Sequence, residues 1–168
     1  MPKVFVSTRK EKDGMTSPRN NGRSLRFHGI TSGIFAGVAV CLGGAAIFRT
    51  SFGIGLCYLL VCPISLGVVL YAYCAKCPCQ ADCAHVLPGR AAALFGRRPG
   101  PYSTAEIAAM GASLLLLIGV PQFFLWRYPA AWIAFWILLG IALIQIRGAV
   151  CRACGNTYCP LCMGKRAP

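Results

Sequence analysis

Four long stretches of the chain run almost without charge, and polar, Gly- and Pro-rich segments separate them. They extend from about Ile30 to Phe48, Phe52 to Tyr73, Thr104 to Trp126 and Ala130 to Ile146, the last with room to continue to Val150. A helix needs ~20 mostly apolar residues to cross ~30 Å of hydrocarbon. Each stretch is close to that length. The pattern therefore predicts an all-α integral membrane protein with four transmembrane helices arranged as two helical hairpins. The expected organisation is a basic arm over 1–29, a first hairpin over 30–73, a loop over 74–103, a second hairpin over 104–150 and a tail over 151–168. A cleaved signal peptide fits the start poorly. The basic head is long, the first apolar core exceeds the usual ~7–15 residues, and a second apolar stretch follows at once.

Composition agrees with lipid as the solvent. Hydrophobic residues make up 57% of the 168 positions, with a mean hydropathy of +0.61; soluble domains average roughly 45–50%. Only Glu11, Asp13, Asp82 and Glu106 are acidic, against 17 Lys and Arg, for a net charge of +13. A basic balance suits nucleic acid or anionic lipid. The apolar spans favour lipid, and nucleic acid is the weaker partner because few aromatics interleave with the basic residues of the arm.

The positions of the charges predict an orientation. Lys3, Arg9, Lys10, Lys12, Arg19, Arg23 and Arg26 precede the first span. Lys76, Arg90, Arg97 and Arg98 lie in the middle loop, and Arg147, Arg152, Lys165 and Arg166 in or beside the tail. The two outer turns hold only Arg49 and Arg127, so the split is 15 to 2. The positive-inside rule then puts both termini and the middle loop in the cytoplasm, in a membrane expected to be of the prokaryotic cytoplasmic type. The arm, without hydrophobic periodicity, is expected to be disordered. In the loop, the segment from Pro88 to Pro101 predicts a short interfacial helix whose Arg residues meet anionic headgroups. Ser103-Thr-Ala-Glu106 predicts a capping box that opens the third span and gives Glu106 a structural role.

The chemistry lies in the cysteines. Eight of the eleven fall in two clusters, each directly after the second helix of a hairpin. The first is Cys74-Ala-Lys-Cys77-Pro-Cys79-Gln-Ala-Asp-Cys83-Ala-His85; the second is Cys151-Arg-Ala-Cys154-Gly-Asn-Thr-Tyr-Cys159-Pro-Leu-Cys162. Both begin Ala-x-Cys-x-x-Cys, which suggests two copies of a unit made of two helices and four cysteines. In a reducing cytosol such density points to metal rather than to disulfides. Two Cys-x-x-Cys pairs complete the four thiolates that zinc or an iron–sulfur cluster takes. The simplest partition is one centre on Cys74, Cys77, Cys79 and Cys83 and another on Cys151, Cys154, Cys159 and Cys162. A shared module in which loop and tail exchange ligands is the alternative, with His85 as a spare donor. Acylation of one or two juxtamembrane cysteines, such as Cys74 or Cys151, is the non-metal reading.

The second cluster partly resembles a retroviral-type zinc knuckle, with its Cys-x-x-Cys, the following Gly155 and a four-residue gap. It departs at the third ligand, which is Cys159 rather than His, and in the last spacing. The resemblance implies zinc, and the Cys159-Pro-Leu-Cys162 turn leans the same way. Closely spaced ligands keep iron–sulfur open.

Cys41, Cys57 and Cys62 fall inside the first two spans. Packing is the plain reading of small apolar side chains. A path for a soft metal is the sharper one, since thiolates suit such ions and Pro63 opens the second helix. In size and span count the chain is similar to small four-helix mercury-uptake proteins. Gly33 with Gly37, Gly43-Gly44 and Gly53 with Gly55 permit close helix packing or a homo-oligomer. Pro121 predicts a kink in the third span, and Trp126, Tyr128, Trp132 and Trp136 mark the outer end of the second hairpin. With so few acids and no nucleophile–base pair, an enzyme is the less favoured class. The sequence thus predicts a membrane metalloprotein, binding zinc or an iron–sulfur centre, that docks a protein partner or relays electrons. Soft-metal transport and thiol oxidoreduction are the alternatives.

Overall fold

A computed structural model describes residues 18–79, 83–154, 156, 158 and 159, with side chains from Ser24 onward except that of Ala153. The described residues are helical, with no strand among them. Helix α1 spans Pro18–Thr50, α2 Phe52–Ala72, α3 Val86–Ala93, α4 Thr104–Leu125 and α5 Pro129–Gln145. A 3-10 turn at Cys74–Lys76 follows α2, and a π-helical turn at Ile146–Val150 joins α5 to the short α6, Cys151–Ala153. Four helical segments are long and apolar enough to cross a membrane: Ser24–Thr50, Phe52–Lys76, Thr104–Leu125 and Pro129–Val150. They match the four expected spans.

Helix α1 is longer than expected. The sequence predicts a disordered arm up to position 29, whereas positions 18–29 continue the first helix upstream to Pro18. The physical reason is local and tertiary together. Pro18 takes the first helical position, where its missing N–H is harmless, and no further proline follows before the apolar run. Contacts near Gly29, described below, then hold this end against the middle loop. The remainder of the expected arm, 1–17, lies outside the described residues.

The hairpins do not pack as two independent pairs. Helix α5 lies chiefly against α1 and only slightly against α4, while α4 packs on α2 and α1. Helix α1 is therefore the central element. Its inner face carries the small residues Ala39 and Ala46, which with Leu42 pack against the fully buried Phe135 and Leu125. A β-carbon on Gly43 would stand 2.7 Å from Pro121 and 3.5 Å from Phe135, so the close approach of α1, α4 and α5 requires glycine there. Gly55 is similarly pressed, with Phe48 2.6 Å from where its β-carbon would be. Gly33, Gly37 and Gly53 face open space instead. Outside this narrow core the spans present large apolar side chains outward, such as Phe52 at 74% and Phe123 at 79% exposure. A bundle that is apolar on its outside is compatible with a multi-pass membrane protein, whose solvent is hydrocarbon.

Polar groups inside the bundle are few and paired. Pro121 cannot donate to the carbonyl four residues earlier, at Leu117. The Tyr58 hydroxyl from α2 donates to that carbonyl at 2.8 Å. The indole of Trp136 donates to Gln122 Oε1 at 3.1 Å, and Gln122 Nε2 donates to Ile118 O at 3.0 Å. Tyr58→Phe is therefore expected to leave the Leu117 carbonyl without its donor in hydrocarbon. The cost should be about 0.5–1.7 kcal/mol, the range measured for polar pairs within membranes. Unfolding in mixed micelles checks this, and unchanged stability would refute the role assigned to the hydroxyl.

The starts of α1 and α4 and the ends of α2 and α5 share one end of the bundle, which also carries the loop and the tail. There Thr31 Oγ1 lies 3.0 Å from Gln145 Oε1. At the opposite end the Arg49 guanidinium sits 6.0 Å from the Tyr128 ring centre. The expected capping box is present. Ser103 Oγ accepts from the Glu106 N–H at 3.3 Å, and the Ser103 N–H donates to Glu106 Oε2 at 2.8 Å. The Glu106 carboxylate has a second task, which the sequence did not suggest. It pairs with Lys76 at 2.8 Å and Arg97 at 2.7 Å, tying both parts of the loop to α4.

Candidate metal centre

The Cys-x-x-Cys that opens each cluster forms a one-turn elbow at the end of a span. In the first, the Cys77 N–H donates to Cys74 O at 3.1 Å; in the second, the Cys154 N–H donates to Cys151 O at 3.3 Å. After each turn the chain becomes extended, with φ −70° and ψ 127° at Cys77 and φ −75° and ψ 128° at Cys154. The two elbows thus share one backbone shape. The repeat suggested by Ala-x-Cys-x-x-Cys extends to local geometry, and each copy throws its second cysteine forward.

Those second cysteines meet. The sulfurs of Cys77, Cys79 and Cys154 lie within 4.8 Å of one another. The group crosses between the clusters, with two sulfurs from the loop and one from the tail. Among the described residues, this geometry has the form of the shared module. Cys83 neighbours the group and interacts electrostatically with both Cys79 and Cys154. Cys74, Cys83, Cys151 and Cys159 are described and stand outside the three-sulfur group; Cys162 lies outside the described residues.

The donor set fits a soft metal ion. Four thiolates ~2.3 Å from one zinc ion stand about 4 Å apart at the corners of a tetrahedron, close to the spacing seen here. The surroundings also suit sulfur that carries charge. Cys77 Sγ accepts from the Cys79 N–H and, at 3.4 Å, from Asn156 Nδ2; Cys83 Sγ accepts from the His85 N–H. Donors of this kind orient metal-bound sulfur and tune it. In the metal-free chain, burial pushes the thiols of Cys77 and Cys83 up, and neighbouring sulfurs add to the effect. Binding therefore has to displace protons, as is general for thiolate sites.

Three residues that the sequence reading passed over build the frame. Asn156 is buried, donates to the Tyr102 hydroxyl at 3.2 Å, and uses its Oδ1 to accept the Tyr158 N–H at 2.9 Å. The Tyr102 ring stacks on Tyr73, with centroids 4.9 Å apart. The Tyr73 hydroxyl lies 2.6 Å from Cys159 Sγ. Cys159 is thus held beside the centre through a tyrosine. Asn156 had a faint signal, as a turn-forming residue between two cysteine pairs; the tyrosines had none, since aromatics at membrane interfaces are common.

His85 takes a different part from the spare-ligand role. Its Nδ1 donates to Gly29 O at 2.9 Å, and burial lowers its pKa below the ordinary value. The ring is neutral and docks the loop on α1. Within the spans, Cys62 hydrogen-bonds the Tyr58 hydroxyl, and Cys41 acts on the same hydroxyl. Cys41 and Cys57 are exposed and Cys62 is half-buried.

The chain matches no family model, no curated protein and no solved structure.

Proposed function

We propose that this is a multi-pass membrane metalloprotein that holds one zinc ion per chain on Cys77, Cys79, Cys154 and Cys83. The observation that supports this most directly is the convergence of Cys77, Cys79 and Cys154 from two distant segments to within 4.8 Å. A single ion at the centre of its ligands calls for sulfurs this close. An iron–sulfur cluster carries its own sulfides and spreads the cysteines over its corners.

In this reading zinc supplies no reaction. It ties loop to tail across the end of the bundle, as structural four-thiolate sites do. The closed module then presents a basic surface, with Arg90, Arg98 and Arg152 exposed, for a partner to dock on. The excess of Lys and Arg on this side supports a cytoplasmic position, where the thiols would stay reduced.

Metal content of protein purified without oxygen tests the proposal. The expected sample is colourless with about one zinc per chain. Visible absorption with iron and acid-labile sulfide would replace zinc docking by electron relay. Absence of any metal would remove the reading.

A further inference from the structure

We propose that the groove between α2 and α4, at the cysteine-bearing end of the bundle, binds one anionic phospholipid with a single net negative charge. Its acyl chain would lie between the helices and its phosphate at the Lys76–Glu106–Arg97 cluster.

The groove is a cavity of about 480 Å³, within the ~300–1,000 Å³ typical of ligand sites. Ile64, Gly67, Val68 and Tyr71 of α2 line one wall, and Ala105 and Ala109 of α4 the other. Small residues keep the helices' facing sides low. Nothing lies within 4 Å of the position a β-carbon on Gly67 would take, so this wall is open rather than packed. The groove lies within the membrane-spanning segments and is open along its side, where acyl chains are the available solvent.

Its mouth is polar and charged. Glu106 lines it, and two cations, Lys76 and Arg97, converge on that one carboxylate. The cluster keeps one positive charge in excess, which complements a phosphate diester. Arg97 also stacks over Tyr71 at 4.5 Å, and Phe95 meets the same ring edge-on at 5.5 Å. The aromatic and guanidinium groups thus form a lip at headgroup level.

A second observation points to the same ligand. The loop segment beside the mouth exposes Leu87 at 79% and Leu94 at 88%, with Arg90 and Arg98 also exposed. Apolar and basic side chains exposed together are the signature of a segment lying in a membrane interface. Anionic lipid would therefore be concentrated where the groove opens. This proposal stands apart from the metal reading, because none of its residues belongs to the sulfur group.

The test is native mass spectrometry of the full chain, released from neutral detergent and titrated with phosphatidylglycerol or phosphatidylcholine of the same acyl chains. One phosphatidylglycerol should be retained, with about fivefold preference over phosphatidylcholine for one excess basic charge. Gly67→Leu fills the open wall and should abolish that preference; Ala109→Leu, from the opposite wall, is the second variant. Inorganic phosphate should not compete, because the chain is part of the ligand. Equal retention of the two lipids overturns the proposal. So does wild-type retention in both variants, displacement by phosphate alone, or a change of oligomeric state in Gly67→Leu, which would assign the groove to a second copy.

Discussion

Cys154→Ser should lower zinc affinity by more than about 100-fold, because loss of a ligand exceeds the ~10–100-fold cost of disturbing an outer-shell partner. Cys77→Ser should do the same. Cys151→Ser, one elbow earlier in the same Cys-x-x-Cys pair, should change affinity far less. Its sulfur is not part of the group formed by Cys77, Cys79 and Cys154. The contrast within one pair is the point of the experiment. Two separate centres, one per cluster, would make Cys151 and Cys154 equally important and would bind two ions. Competition against a chromophoric chelator reads both affinity and stoichiometry. Equal damage from Cys151→Ser and Cys154→Ser would refute the joint centre.

The second large effect is expected from a residue with no ligand atom. Gly29 lies in α1, where the loop crosses it. A β-carbon there would stand 2.5 Å from the Ala84 carbonyl carbon and 3.0 Å from the His85 nitrogen. These are backbone atoms, which cannot swing aside as a flexible side chain would. Gly29→Ala should therefore lift the loop from the helix and break the bond from His85 Nδ1 to Gly29 O. Overpacking of this kind costs typically 1–3 kcal/mol. Cys83 directly precedes Ala84, so the sulfur proposed as the fourth ligand moves with this part of the loop. Zinc affinity should fall by about 10–100-fold, as for loss of an outer-shell partner. The helix itself should not suffer, because alanine favours helix over glycine by about 1 kcal/mol. Far-ultraviolet circular dichroism, paired with chelator competition, separates the two effects. Unchanged affinity in a fully helical variant would show that the loop does not need this dock.

Much of the architecture is written locally. The four spans follow from runs of apolar residues long enough for the bilayer. The start of α4 follows from Ser103 and Glu106, which satisfy each other's backbone N–H groups within one turn. The elbows follow from the Cys-x-x-Cys that opens each cluster, which closes a turn by one hydrogen bond at Cys74–Cys77 and at Cys151–Cys154. Such features depend on neighbours a few residues away, and a reader of the chain sees all of those neighbours. The helical start at Pro18 is not legible in the sequence, because positions 18–29 are weak in local signal and a contact from the distant loop supports their end.

What the sequence by itself determined is the set of parts: four apolar helices, two cysteine elbows and a basic side. Tertiary structure decided how they combine. Helix α5 packs on α1 rather than on its own hairpin partner because small residues and Gly43 on α1 leave room for Phe135. That choice carries Cys154 across the end of the bundle to Cys77 and Cys79. It also gives Asn156 a sulfur to donate to. Which sulfurs share an ion is a matter of distance in space, and helix packing, not spacing along the chain, sets that distance.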